Sequence, residues 1–166
     1  MMAKTKYQFE DFLIIVKDDY KDFVTKVHDM MLQESYKPKI QFTKSNGFQL
    51  SYQQPKIKTV AGRILTFFVR EDELMIRIEG NNHEKYPDAL DNLPDRIVYQ
   101  IDKAVDCIKF SDQKRCWKGC IGYEFDIGKN HYQKCITQCF QLKVDSPSMP
   151  YLLKLIECEQ QERLSV

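Results

Sequence analysis

The chain has 166 residues, of which 43% are hydrophobic and 30% are charged, and its 25 Lys and Arg residues nearly balance its 24 Asp and Glu residues. A chain of this length can bury about 70% of the surface that it exposes when unfolded, so it can fold as one domain without disulfides. The composition excludes a disordered protein, and the near-neutral charge argues against a protein that binds nucleic acid over its whole surface.

The hydropathy pattern excludes two further classes. No apolar run approaches the roughly 18 residues that are needed to cross a bilayer. Residues 1–6 also lack the apolar core of a secretory signal. We therefore expect a cytoplasmic protein that does not bind a membrane, and in that compartment six cysteines are expected to be reduced or bound to metal.

Residues 7–34 are predicted to form two N-terminal helices. Apolar side chains recur there at steps of three and four residues, which is typical of an amphipathic helix. Asp18 and Asp19 predict a break and a second helix start. His28 lies beside the apolar stripe and is expected on the helix surface. The stripe consists of Phe9, Phe12, Leu13, Val16, Tyr20, Phe23, Val24, Val27, Met30 and Met31.

Between residues 38 and 79 the apolar period changes to two, which indicates a sheet. Connection 45–47 contains residues that tolerate positive φ, and connection 71–72 is only two residues long, so both predict hairpins of an antiparallel sheet. Residues 64–69 are apolar at both parities, which predicts a central strand covered on both faces. The predicted strands are 38–43, 47–53, 59–70 and 73–79.

Basic side chains on these strands form a candidate anion-binding group. Residues 36–80 contain eight Lys and Arg residues against four acidic residues, and a basic sheet face can attract an anionic partner. An enzyme that acts on an anionic small molecule would use this group; ordinary exposed strand charges are the alternative interpretation. Its members are Tyr52, Lys58, Arg63, Arg70 and Arg77.

The second half of the chain is predicted to add two helices and a β segment. Residues 81–92 predict a loop with one helical turn. A helix follows over 94–106, with Pro94 at the first position, where its missing N–H costs nothing. Residues 116–144 predict a cysteine-rich β segment, and residues 148–163 predict a closing helix.

Two CxxxC pairs, Cys116–Cys120 and Cys135–Cys139, form the one distinctive motif of the chain. Each spacing can place two sulfur atoms on one side of a helical turn. Four thiolates satisfy a tetrahedral zinc ion, so the four cysteines are the predicted ligands of a structural zinc site. Nearby cations favour the thiolate form; between 107 and 143 they are Lys109, Lys114, Arg115, Lys118, Lys129, Lys134 and Lys143, against three acidic residues.

Other interpretations of the same cysteines stay open. They could hold iron or an iron–sulfur cluster, form disulfides, switch between dithiol and disulfide, or simply pack as thiols. Cys107 and Cys158 are expected to lie outside the site. A catalytic alternative pairs His131 with Cys135 or Cys120 as base and nucleophile. The sequence contains no phosphate-binding Gly-rich loop and no HExxH or GxSxG motif.

Several stretches, in order, resemble a group of small uncharacterised cytosolic proteins of low-GC Gram-positive bacteria that carry a late CxxxC…CxxxC motif. The stretches are Phe9-Glu-Asp-Phe-Leu13, Tyr20-Lys-Asp-Phe-Val24, Ser51-Tyr-Gln-Gln-Pro-Lys56, Phe68-Val-Arg70, Met75-Ile-Arg-Ile78, Gly122-Tyr-Glu-Phe125, Tyr132-Gln-Lys-Cys135 and Cys139-Phe140. More loosely, helices followed by a meander with a Tyr-x-x-Pro element are similar to YdhG-like and YjbR-like domains. The first resemblance implies no established activity, and it makes iron handling a candidate role. The twin CxxxC spacing is also similar to that of intermembrane-space chaperones, but those are helical hairpins, whereas residues 121–127 alternate like a strand.

The sequence thus predicts a single α+β domain, with an antiparallel sheet of about five to seven strands and helices packed mainly on one face. The leading functional hypothesis is a non-enzymatic cytosolic binding or regulatory domain with a four-cysteine structural zinc site. The second is a metal-handling or thiol-redox protein that uses the same cysteines. The third is an enzyme that acts on an anionic small molecule.

Overall fold

The computed structural model describes residues 6–112 and 116–165 and has the predicted α+β architecture. Its helices are α1 (Phe9–Ile15), α2 (Asp18–Gln33), α3 (Pro87–Asp91), α4 (Asp95–Lys103) and α5 (Met149–Leu164). Its strands are β1 (Lys37–Thr43), β2 (Gly47–Gln53), β3 (Arg63–Arg70), β4 (Glu73–Ile78), β5 (Tyr123–Ile127), β6 (Asn130–Lys134) and β7 (Gln141–Lys143). Short 3-10 helices occur at Val60–Gly62, His83–Lys85 and Ile108–Phe110.

The strands form a five-stranded antiparallel sheet, in the order β1-β2-β3-β4-β7, and a separate β5-β6 hairpin. β3 is the middle strand of the larger sheet, and residues 64–68 are all buried, as the apolar run at both parities predicted. The predicted start of this strand, at residue 59, is wrong. The strand instead begins at Arg63, because the chain from Val60 to Gly62 turns as a 3-10 helix.

The chain is divided into two compact units. The first contains the residues up to Ile76 together with Lys143–Met149, and the second contains Arg77–Leu142 together with residues from Pro150 onward. In the part of the chain that the structure describes, no helix is long and apolar enough to cross a membrane.

The first unit packs both N-terminal helices against the same residue of β3. Phe12 of α1 and Phe23 of α2 lie with their rings 6.5 and 6.2 Å from the ring of Phe67. The break between α1 and α2 falls where Asp18 and Asp19 predicted it. His28 is not a free surface residue, because its ring stacks on Phe9 at 3.7 Å and its Nδ1 forms a 2.8 Å hydrogen bond with the hydroxyl of Tyr52.

The second unit is built around an aromatic cluster. His83 stacks on Phe140 at 4.1 Å, and the rings of Tyr123 and Phe125 pack within 6 Å of one or both. β5 and β6 supply this cluster because alternate residues of each strand are buried, with Phe125 directly opposite Tyr132. The other face of the β5-β6 hairpin carries exposed polar residues.

Helix α4 ends at Lys103, three residues before the predicted boundary at 106. Ala104 adopts an extended backbone, and the buried ammonium of Lys134 caps the helix end by donating hydrogen bonds of 2.9 Å to the carbonyl oxygens of Asp102 and Ala104. The same ammonium forms a 2.8 Å ion pair with Asp106. A cation at this position satisfies carbonyl groups that a helix C-terminus leaves without partners.

Candidate functional site

The two cysteine couples belong to the second unit. In the sequence, one couple precedes the β5-β6 hairpin and the other follows it. Cys116 and Cys120 precede β5, and the N–H of Cys120 donates to the carbonyl of Trp117 across 3.2 Å. Cys135 and Cys139 follow β6, and the N–H of Cys139 donates to the carbonyl of Cys135 across 2.9 Å. The second couple therefore forms one helical turn, as its spacing predicted.

The sulfur atoms of Cys116 and Cys120 are in direct contact through a side-chain hydrogen bond. Burial raises the pKa of the Cys120 thiol, the adjacent Cys116 adds to this, and the backbone N–H of Gly122 opposes it by donating to the sulfur. Cys120 is buried, whereas Cys116 is half-buried. The couple thus has one enclosed cysteine and one partly exposed cysteine.

The second couple has the same asymmetry. Cys139 is completely buried, and this burial raises the pKa of its thiol far above the usual range although the charge of Lys134 opposes the shift. Cys135 is half-buried, and its sulfur lies 3.1 Å from the hydroxyl of Thr137. Thiols that are hard to deprotonate are poor nucleophiles at neutral pH.

The structure does not gather a complete ligand set. Within residues 6–112 and 116–165, no three His, Cys, Asp or Glu side chains are arranged as a group that could hold a metal ion. A side-chain hydrogen bond joins Cys116 and Cys120, and all six cysteines are free thiols. The four-cysteine zinc site therefore stays a prediction.

Cys107 lies closer to the first couple than the sequence suggested. It is buried, and its charge in the thiolate form would act directly on Cys120. A Cβ atom added to Gly122, two residues after Cys120, would lie 2.8 Å from the Cys107 sulfur. The sequence placed Cys107 at the edge of the core as a packing residue, and its burial agrees with that. The glycine at position 122 was the available signal that some group approaches the backbone there.

The predicted cationic surroundings are only partly described. Lys114 and Arg115 lie outside the residues that the structure describes. Lys134 is buried, and its ammonium is held by the end of α4, while Lys118 is exposed beside the first couple. Among the predicted cations that the structure describes, Lys134 acts on a cysteine of the motif, Cys139.

His131 pairs with carboxylates on the exposed face of the β5-β6 hairpin. Its Nδ1 lies 2.6 Å from Asp126 and its Nε2 lies 3.0 Å from Glu124. The bond to Asp126, followed by that to Glu124, raises the pKa of His131. Both ring nitrogens are thus engaged by carboxylates, an arrangement that does not favour a Cys–His nucleophile pair.

The candidate anion-binding residues are not placed on one surface of the first unit. Arg63 and Arg70 are the first and last residues of β3, seven positions apart, so alternation along the strand directs them to opposite faces. Tyr52 is completely buried, and Lys58 lies in an exposed loop. Arg70 also packs over the ring of Phe68, at 5.2 Å.

The fifth member of that group, Arg77, lies on β4 and forms an ion pair with Glu79 at 3.7 Å. It is half-buried, and Glu79 next to it reduces its attraction for an anion. The anion site stays a prediction that these positions do not favour.

A buried carboxylate that was not among the predicted site residues organises the loop after β4. Glu159 of α5 is completely buried and accepts hydrogen bonds from the N–H of Asn81 at 2.9 Å, the hydroxyl of Tyr86 at 2.9 Å and the Nε of Arg163 at 2.9 Å. Arg163 in turn donates to the carbonyl of Glu79. The i, i+4 spacing of Glu159 and Arg163 was the signal, but this spacing is far commoner on exposed helix faces.

Comparison of the chain with protein-family models, with curated proteins and with solved structures finds no match.

Proposed function

We propose that the protein is a cytosolic binding or regulatory domain whose cysteine region is stabilised by one structural zinc ion. The predicted ligands are Cys116, Cys120, Cys135 and Cys139. The carrying observation is the direct contact between the sulfur atoms of Cys116 and Cys120, because two adjacent thiols are the starting arrangement for a chelating pair.

The protonation of the buried thiols argues against redox chemistry at Cys120 and Cys139. Burial raises the pKa of both Cys120 and Cys139, so these sulfur atoms carry protons at neutral pH and react slowly with oxidants. A bound zinc ion supplies the positive charge that would replace those protons. Much of its binding energy would then appear as folding energy of the region after α4.

A protein partner fits the surface next to the first couple. Trp117 is 59% exposed and Ile121 is 66% exposed, and these two side chains flank Cys120. Exposed aromatic and aliphatic side chains of this kind are typical anchors of protein interfaces. An anionic small molecule remains the alternative partner.

Elemental analysis of protein purified without a metal-affinity tag, together with a free-thiol count, tests the proposal. We expect one zinc per chain that resists mild oxidant, and a lower stability in Cys116→Ser than in the matched variant Cys158→Ser. Metal-free protein with six titratable thiols and unchanged stability in Cys116→Ser would contradict the structural zinc.

The second candidate is a metal-handling or thiol-redox protein, which the half-buried sulfur atoms of Cys116 and Cys135 support, because each couple has one reachable thiol. In this case mild oxidation should convert thiols to a titratable disulfide, or bound iron should exchange readily with a chelator. A slow-exchanging zinc that protects the thiols from oxidation would exclude this role.

A further inference from the structure

The two cysteine couples have the same spacing in the sequence but different backbones. Residues 117–120 form a β-turn, in which the N–H of Cys120 donates to the carbonyl of Trp117 across 3.2 Å and Gly119 has a φ of +98°. A positive φ at the third residue is typical of a type II turn, and glycine adopts it without a steric penalty. The first couple therefore spans a reversal of the chain and not a helical turn.

This reversal brings the sulfur atoms of the first couple into contact. A side-chain hydrogen bond joins Cys116 and Cys120, and both cysteines are free thiols. A disulfide requires two Cβ atoms that lie near each other and a sulfur–sulfur bond of about 2.05 Å. Sulfur atoms that already touch have only a short distance to move before they can form this bond.

The second couple lacks this geometry. The N–H of Cys139 donates to the carbonyl of Cys135, as in a helical turn. Residues four apart on a helix have Cβ atoms about 5–6 Å apart, whereas a disulfide needs about 3.5–4.5 Å. The sulfur of Cys135 lies instead 3.1 Å from the hydroxyl of Thr137, and Cys139 is completely buried. This couple has to unwind its turn before it can close.

Exposure assigns an order to the two sulfur atoms of the first couple. Cys116 is half-buried and Cys120 is buried, so an oxidant in solution meets Cys116 first. Cys107 is a further sulfur near Cys120, since it lies against Gly122, but it is buried as well. Of these three cysteines, Cys116 is thus the one that a dissolved oxidant reaches.

We propose that Cys116 and Cys120 are a reversible dithiol–disulfide pair that is oxidised by small soluble disulfides. Cys116, as the thiolate, attacks one sulfur of the oxidant, which breaks the S–S bond of the oxidant and releases one thiol. Cys120 then gives up its proton and attacks the sulfur of Cys116, which releases the second thiol. The protein gains one S–S bond, and its two electrons and two protons reduce the oxidant to two thiols.

This inference rests on the second candidate function and narrows it to one pair of residues. It is compatible with the zinc site of the main proposal, because bound zinc holds its cysteine ligands as thiolates and would keep the pair from closing. Closure would in turn remove Cys116 and Cys120 from the predicted ligand set. Zinc and the disulfide are therefore mutually exclusive states of the same two sulfur atoms.

Peptide mapping of the reduced, metal-free protein after exposure to glutathione disulfide tests the pairing. Trypsin cleaves after Arg115 and Lys118, so the proposed bond joins peptide 116–118 to peptide 119–129. A bond within the second couple lies inside peptide 135–143. We expect the first product to form at least about tenfold faster than the second, because only the first couple starts with its sulfur atoms in contact.

The same reaction in urea is the matched control. The two couples have identical spacing, so in the unfolded chain they should close at similar rates. A preference for the first couple that appears only in the folded protein would come from the turn at 117–120. The same preference in urea would overturn the argument, because it would not depend on the fold.

The fluorescence of Trp117 provides a second measurement. It is the single tryptophan of the chain and lies within the first couple, and a disulfide quenches a neighbouring indole. Emission should fall as the ratio of glutathione disulfide to glutathione rises, and it should recover with dithiothreitol. Cys116→Ser should lose this response and Cys135→Ser should keep it; the reverse pattern would overturn the proposal. The peptide map of the wild-type protein decides the matter if either variant folds poorly.

The outcomes separate this inference from the proposed functions. A bond confined to peptide 135–143, or one that joins peptide 104–109 to peptide 119–129, would overturn the pairing and leave a thiol-redox role. Six thiols that stay reduced would overturn both the pairing and that role, while zinc binding by the same protein would leave the structural zinc site standing. A first couple that closes in a protein without affinity for zinc would support the pairing and overturn the zinc site.

Discussion

At the residue scale, the most unusual ionisable group is His83 of the second unit. Its ring is enclosed by aromatic side chains, and its Nε2 has no hydrogen-bond partner among the described residues. Burial holds its pKa at about 4, although the Glu159 carboxylate opposes this shift, and Arg163 reinforces it. The close packing around this ring also requires a glycine at position 80, because a Cβ there would lie 2.6 Å from the His83 imidazole.

This histidine predicts a loss of stability in acid. Unfolded His83 takes up a proton near pH 6.5, whereas folded His83 stays neutral down to about pH 4, so the unfolded state binds more protons between these values. The free energy of unfolding should therefore fall as the pH decreases from 6.5 to 4, by about 3 kcal/mol at most. Urea denaturation across this range measures the slope, and His83→Phe should flatten it.

The matched control for this measurement is His131→Gln. His131 is exposed and its pKa is raised by Asp126 and Glu124, so its contribution is present in acid and is lost as the pH rises through its folded pKa. Its replacement should leave the acid-induced loss of stability in place. A wild-type slope in His83→Phe would assign that loss to other groups.

At the element scale, the β3-β4 turn depends on its own backbone conformation, whereas the end of α4 depends on a side chain that is distant in sequence. The β3-β4 turn places Glu71 and Asp72 at φ values of 51° and 63°, where non-glycine residues are strained. The end of α4 depends instead on a distant side chain, since Lys134 of β6 donates to its last carbonyl groups. The first is a local defect that sequence changes can repair, whereas the second is a long-range contact.

The turn predicts a stabilising substitution. Two central residues with positive φ form the hairpin turn that Asn-Gly favours. Combining Glu71→Asn with Asp72→Gly should raise the free energy of unfolding by about 0.5–1 kcal/mol, after allowing for the greater freedom of glycine in the unfolded chain. Thermal unfolding provides the measurement. Ser45→Gly, at a position without positive φ, should give no gain; an equal gain there would refute the turn argument.

The cap of α4 predicts a destabilising substitution. Lys134→Met would leave the carbonyls of Asp102 and Ala104 and the carboxylate of Asp106 without their donor. We expect a loss of about 1–3 kcal/mol from the two helix-end carbonyl groups, with little from Asp106, whose side chain is 84% exposed and can be solvated. Lys129→Met in the exposed β5-β6 turn should change stability by less than about 0.5 kcal/mol. Similar losses in the two variants, measured by urea denaturation, would show that Lys134 does not cap the helix.

At the scale of the whole molecule, the proposed metal would act on one unit of the chain. The predicted ligands all lie in residues 116–139 of the second unit, where residues 133–135 pair with residues 105–107. A metal ion that ties the two cysteine couples together removes conformational freedom from the chain between them.

Hydrogen exchange before and after chelation measures this effect. Removal of the metal should speed amide exchange at Cys107 and Cys135, whose N–H groups bond across this pairing. The β1-β2-β3 amides should keep their protection and serve as the internal control. Uniformly faster exchange along the whole chain would mean that the metal supports the entire fold and not the cysteine region.

The sequence by itself determined the helices and strands, because the spacing of apolar residues shows whether a segment covers the core as a helix or as a strand. The Asp18 break, the central position of β3 and the strand character of residues 123–127 all follow from that pattern. The end of α4 and the start of β3 were wrong by a few residues, since a cap from Lys134 and a 3-10 turn at 60–62 decided them.

Only the tertiary structure decided which side chains meet. The burial of Glu159 against residues 81–86, the pairing of His131 with carboxylates and the contact between Cys107 and Gly122 join positions that are distant in the chain or lack a spacing rule. Spacing can show that Cys116 and Cys120 are neighbours within a turn. It cannot show which further sulfur atom the fold brings to them, because that depends on the register and the face of strands from different parts of the sequence.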